Sequence, residues 1–271
     1  MFKQAVSMEE INAKMKENDQ MIFYSRFNHL QVMHGIRPQM THGILGTSGS
    51  GKSSLLKTYI VDAARNNKVL IHLSEETILE FQVAMHKIPD AMKSMKNMLF
   101  MEEKNFDDYF LSDQDAFLSY FREMVIESGV KLVFIDNVTS SLFYTDDIGP
   151  SGQSKTALYF SKITKELKVA IFYVAHTSKR IVDNQSELIT IEDIRGSAKL
   201  PIVSENMFIL QKFVSGDRIY PIMIVAKHRH HQVDNKFFLL QYTDGAYTGD
   251  SSIEFSLVNR IFKQRNKLGG K

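Results

Sequence analysis

Eight consecutive residues, Gly46-Thr47-Ser48-Gly49-Ser50-Gly51-Lys52-Ser53, place a glycine, four variable positions and then Gly-Lys-Ser, the order of a phosphate-binding loop. Glycines let a backbone turn tightly enough for its N–H groups to face phosphate oxygens. A helix starting directly behind the loop adds the partial positive charge of its N-terminus. In this pattern Lys52 is expected on the β- and γ-phosphates of a nucleoside triphosphate and the Ser53 hydroxyl on Mg²⁺. A second metal ligand is expected where a buried strand ends, and Leu132-Val133-Phe134-Ile135-Asp136 offers Asp136. Hydrolysis also needs a group that orients water. Glu75 and Glu76 directly follow an apolar stretch, and on residues alone they read equally as that group or as the acidic start of a helix.

The surrounding elements must bring these residues to one place. From Thr41 the pattern alternates, with strands expected at 42–45, 68–73, 97–101, 131–135 and 170–174 and helices at 53–65, 77–87, 112–128 and 153–167. Ser112, with Asp115 three residues on, is expected to open the third helix. Segments 206–210, 220–226 and 236–242 read as further strands, with turn signals at Ser215-Gly216 and Asp244-Gly245. The expected fold class is α/β, a central, mostly parallel sheet with antiparallel C-terminal strands and helices on both faces. Residues 1–26 read as a polar helical arm opened by Ser7 and Glu10, 27–250 as the α/β domain and 251–271 as a tail.

Composition narrows the classes. With 33 basic and 31 acidic residues the net charge is +2, which speaks neither for nor against nucleic acid. The absence of Cys excludes disulfides and thiolate metal sites. No apolar run reaches the length of a membrane span, and residues 1–20 lack the apolar core of a signal peptide. No membrane partner and a cytoplasmic location, or host-cell cytoplasm for a viral chain, are therefore expected. His228, His230 and His231 lie close together without a neighbouring carboxylate and read as structural or surface histidines.

The glycine-rich loop is shared by many families, but later segments are more specific. Over roughly residues 27–248 the chain resembles the RecA-like P-loop NTPase motor domain of DnaB-like hexameric replicative helicases. The likeness is strongest to the helicase half of phage primase–helicases and to mitochondrial Twinkle. Leu73-Ser74-Glu75-Glu76-Thr77 resembles the segment with the catalytic glutamate, in the register of Glu75. Val174-Ala175-His176 resembles the strand end that presents a γ-phosphate sensor, here His176. Asp193-Ile194-Arg195-Gly196-Ser197 is similar to the stretch bordering the DNA-binding loop. Lys179 and Arg180 read on residues alone as solvated charges; the resemblance places them, with Arg195, on single-stranded DNA. Val225-Ala226-Lys227-His228-Arg229 resembles the strand whose Lys and Arg reach the γ-phosphate of the neighbouring subunit, which makes Lys227 and Arg229 catalytic in trans. Leu240-Gln241-Tyr242 resembles the segment offering an aromatic platform, Tyr242, to the base. One position departs: seven residues after Arg195, where the family has Gln, stands Ile202.

The resemblance implies an ATPase that uses Mg²⁺ at the interfaces of a homo-oligomer, expected as a hexameric ring. It would translocate on single-stranded DNA and unwind duplex, with a primase, polymerase or loader as partner. A RecA-like recombinase or mediator filament, and a partner-regulated loader ATPase that never unwinds DNA, remain open.

Overall fold

The computed structural model describes residues 22–23, 25–33, 35–103, 113–144, 149–178, 188–215, 218–229, 235–254, 256 and 258. Most of the expected N-terminal arm and C-terminal tail, and Lys179, Arg180, His230 and His231, lie outside the described residues.

Among the described residues nine strands form one sheet: β1 (Thr41–Gly46), β2 (Val69–Leu73), β3 (Met98–Glu102), β4 (Leu132–Asp136), β5 (Ala170–His176), β6 (Asn206–Ser215), β7 (Arg218–His228), β8 (Lys236–Thr243) and β9 (Ala246–Ile253). Their order is β3-β2-β4-β5-β1-β6-β7-β8-β9. The pairs from β3 to β6 are parallel, and those from β6 to β9 antiparallel. The expected α/β class, with its parallel centre and antiparallel extension, is what the chain adopts. The helices are α1 (Asn28–Gln31), α2 (Lys52–Ala64), α3 (Ile78–Met85), α4 (Ala91–Ser94), α5 (Gln114–Ser128), α6 (Gly149–Leu167) and α7 (Lys199–Val203).

Because side chains alternate along a strand, each central strand feeds two cores. On one face Ile44, Ile71, Phe134 and Phe172 pack with Leu55, Tyr59 and Phe81 from α2 and α3. On the other face Leu45, Leu70, Val133 and Tyr173 pack with Phe117 and Phe121 of α5 and Phe160 of α6. Phe172 is stacked between His42 at 4.4 Å and Phe134 at 5.4 Å. Truncating such a ring to Ala typically costs about 3–5 kcal/mol. Burial on both faces explains why the parallel strands read as nearly continuous apolar runs. Among the described residues no helix is long and apolar enough to cross a membrane.

Several boundaries differ from expectation. The cap of α5 is Asp113, whose carboxylate accepts from the N–H groups of Asp115 and Ala116; Ser112 lies outside the described residues. Helix α6 starts four residues before the expected Gln153, because Pro150 is compatible with a first helical turn. Strands β6 and β7 extend each other through pairing up to Ser215 and Arg218, well beyond their apolar centres. Strand β9 was not expected at all, and it carries the sheet past residue 250 to Ile253.

Candidate functional site

Parallel strands end on a common rim, and their register decides which residues meet there. Gly46 of β1 is paired with His176 of β5, and Leu73 of β2 with Asp136 of β4. The glycine-rich loop, Glu75, Asp136 and His176 therefore converge, as expected from sequence.

The loop is shaped by contacts that exclude larger residues. A Cβ on Gly46 would come within 2.5 Å of the Leu210 carbonyl oxygen and 2.8 Å of Ser50 Oγ. Gly51 has φ +98° and stands at the N-cap of α2, where a Cβ would run into the Tyr247 hydroxyl. Lys52 follows directly. Its Nζ donates to the Thr47 carbonyl at 2.7 Å and to Nδ1 of His176 at 3.3 Å. The Ser50 hydroxyl is buried in the same loop without a hydrogen-bond partner among the described residues. At the start of α2 the Ser53 hydroxyl donates to Asp136 Oδ1 at 3.0 Å.

The water-orienting side of the site is a second small network. Ser140 donates to Glu75 Oε1 at 2.7 Å, and Nε2 of His176 lies 3.5 Å from the same oxygen. Asn137 Nδ2 lies 2.9 Å from Nε2 of His176, while Asn137 Oδ1 accepts from Thr139 and from the Ser140 N–H. The Thr139 hydroxyl in turn accepts the His176 N–H at 3.1 Å. Glu76 faces away from this network and pairs with Lys57 at 2.6 Å. Glu75 rather than Glu76 thus sits with His176.

Electrostatics set the charge states. Burial pulls Lys52 down to about 8, although Asp136 and Glu75 oppose it. Burial pushes Asp136 up to about 6, against the nearby Lys57 ammonium. Burial likewise lowers His176, helped by Lys52, so its ring is neutral at pH 7. Burial alone would raise Glu75, but hydrogen bonds from Ser140 and Asn137 and the His176 ring hold its carboxyl below its usual value.

These groups fit a triphosphate with Mg²⁺. A buried, partly desolvated ammonium and an unpartnered buried hydroxyl face a cradle that only glycine backbone can form. Ser53 and Asp136 are a hard oxygen pair of the kind Mg²⁺ uses together with phosphate and water ligands. Among the described residues no group of three or more His, Cys, Asp or Glu could hold a metal ion by itself. A cavity of about 570 Å³ opens beside the loop, lined by Ser48, Lys52, Glu75 and His176 at one end and by Ile219, Pro221, Tyr242 and Tyr247 at the other. Tyr242 is half exposed and packs edge-on against Tyr247 at 4.9 Å, so an aromatic face is available where a base would lie.

Other expected residues are elsewhere. In β6–β7 pairing, Asn206 at the start of β6 faces His228 at the end of β7, and Asn206 also pairs with His42 near the start of β1. Lys227 and Arg229 therefore lie on the opposite rim and do not join their own chain's loop. Lys227 Nζ donates to the carbonyls of Pro201 at 2.8 Å and Ile202 at 2.9 Å, and Arg229 donates to Ile202 at 3.0 Å. Arg195 borders the phosphate rim through its N–H, which donates to the His176 carbonyl at 2.8 Å. Ile202 itself is 58% exposed.

Four contributors were not singled out from sequence. Asn137 and Ser140 hold His176 and Glu75, and only their closeness to Asp136 could have drawn notice. Lys212, from β6, donates to the Gly49 carbonyl at 2.7 Å, and Tyr247, from β9, closes over Gly51. Both depend on pairings more than 160 residues apart and carry no local signal. No family model matches the chain, and no curated protein is found to be similar to it.

Proposed function

We propose that the chain is a RecA-like P-loop ATPase of the DnaB-like replicative helicase type, which hydrolyses ATP at subunit interfaces and moves on single-stranded DNA. The observation carrying the ATPase reading is the 3.0 Å hydrogen bond from Ser53 to Asp136 beside the glycine-rich loop, with Lys52, Glu75 and His176 gathered around it. Lys52 binds the β- and γ-phosphates, exchanging its bond to Thr47 for stronger charge-assisted ones. Glu75, kept ionised by Ser140, Asn137 and His176, orients the attacking water and accepts its proton. His176, neutral and held by Asn137, reports on the γ-phosphate. Ser53 and Asp136 would hold Mg²⁺, which would supply charge neutralisation there. Tyr242 carries the base.

The trans step rests on the opposite rim. Lys227 and Arg229 are too far from their own loop to act there, and a head-to-tail neighbour would receive them. Such a finger stabilises charge spreading onto the transferred phosphoryl group. Lys179, Arg180 and Arg195 are the proposed contacts to single-stranded DNA.

The deciding experiment is steady-state ATP hydrolysis with Mg²⁺, with and without single-stranded DNA, on the wild type and on Arg180→Ala. Stimulation by DNA that the variant loses is expected. Absence of any hydrolysis would overturn the ATPase reading. Hydrolysis indifferent to DNA but raised by a partner protein would favour a loader ATPase, the reading to which Ile202 in place of Gln points.

A further inference from the structure

Behind the Ser53–Asp136 pair lies a third carboxylate with an ammonium that the proposed mechanism leaves unused. Lys57 stands four residues after Ser53 on α2, so both side chains project from the same face of the helix. Its side chain is only 7% exposed, passes over the Phe81 ring with Nζ 5.1 Å from the centroid, and ends 2.6 Å from Glu76 Oε1. Glu76 comes three residues after Leu73, which is the register partner of Asp136. Among the charges acting on Asp136, the Lys57 ammonium is the strongest and Glu76 the next. The ammonium is bonded to Glu76 and acts through space on Asp136. A buried ammonium is held by whichever carboxylate accepts it, because leaving it unpaired is costly.

We infer that the Lys57–Glu76 pair sets the metal affinity of the site: Glu76 holds the Lys57 ammonium back and leaves Asp136 free to take a divalent cation. The inference rests on the Mg²⁺–nucleotide reading of the loop and adds two positioning residues to it. If Glu76 loses its charge, Lys57 turns to Asp136 and competes with the cation. If Lys57 loses its charge, Asp136 faces the cation beside an uncompensated carboxylate, and the cation is held more tightly. If both are neutralised, the two effects cancel. A pair that merely stabilised the fold would shift both single variants in the same direction.

The test is Mg²⁺ titration of the full chain with a fluorescent, non-hydrolysable ATP analogue, read as nucleotide binding. Glu76→Gln is expected to raise the Mg²⁺ needed for half-maximal binding by about five-fold, in line with loss of one close charge partner in a partly buried site. Lys57→Met is expected to lower it, and the double variant to return near the wild type. Binding of the analogue in excess chelator should be the same in Glu76→Gln and wild type. If the buried Lys57→Met variant fails to fold, Glu76→Gln alone still decides by the sign of its shift. An unmoved Mg²⁺ requirement in Glu76→Gln, or single variants shifted in the same direction, would overturn the role of the pair while leaving the nucleotide site standing. A wild type that does not bind the analogue with Mg²⁺ would overturn both.

Discussion

The two rims of the central sheet handle charge in opposite ways. On the rim of Gly46, Glu75, Asp136 and His176, ionisable groups are crowded and desolvated, with Lys52 pulled down to about 8 and Asp136 pushed up to about 6. On the other rim, Lys227 and Arg229 rest on main-chain carbonyls of Pro201 and Ile202, and the Arg229 side chain is 45% exposed. The first rim is arranged to receive charge from outside the chain. The second holds its cations on main-chain carbonyls and, for Arg229, also beside the Glu205 carboxylate at 3.6 Å, at the edge of solvent. Under the proposed function one rim would act as a receptor and the other as a donor, the division of labour a head-to-tail assembly needs.

The sharpest way to break that comparison is to remove one charge from each rim. Lys52→Ala should reduce ATP hydrolysis to background and abolish binding of a fluorescent nucleotide. Arg229→Ala should keep nucleotide binding nearly intact while turnover falls by about 10³-fold, the scale of a missing arginine finger. Mixing the two inactive variants should restore part of the turnover, because a Lys52→Ala subunit can still offer Arg229 to an intact loop. Normal turnover in Arg229→Ala, or no recovery on mixing, would remove the trans assignment. A smaller effect sharpens the receptor rim: Asn137→Ala frees Nε2 of His176 and should lower kcat by about ten-fold with little change in KM.

A further test concerns the donor rim and is read as stability rather than activity. His42 is buried against Phe172, and burial together with His228 lowers it to about 3. The unfolded chain takes up a proton there below about pH 6.5 while the folded chain does not. Stability is therefore lost as pH falls from 6.5 toward 3, by up to about 1.4 kcal/mol per pH unit from this group. His42→Phe should flatten that part of a chemical-denaturation profile, and an unchanged slope would show that the ring is not the group responsible.

Legibility in the sequence followed the range of the interaction. Gly46 to Ser53 could be found because the backbone needs of a phosphate cradle are met within eight neighbouring residues. Asp136 was found because it ends a buried apolar run, and His176 through resemblance, at the end of another. The choice of Glu75 over Glu76 came from resemblance alone; the structure supplies a physical reason, since Glu76 is engaged by Lys57. Strand β9, Ala-Tyr-Thr-Gly-Asp-Ser-Ser-Ile, escaped because it lacks both alternation and β-branched density. It forms because the tight turn at Asp244 and Gly245, both with positive φ, returns the chain onto β8. Helix α7 was hidden by Pro201, and with it the carbonyls that hold Lys227 and Arg229.

Strand β7 touches both rims. Its first residues, Ile219 and Pro221, line the cavity beside the glycine-rich loop, and Lys227 lies at its far end. Eleven extended residues reach about 35 Å. In a head-to-tail array every such strand would be wedged between two nucleotides, one against its own subunit's base and the other against the next subunit's phosphate. It would then work as a push-rod: its ladder to β6 runs from Arg218 to His228 with one register shift at Ala226, so occupancy of one cavity would be felt at its neighbour through a single strand.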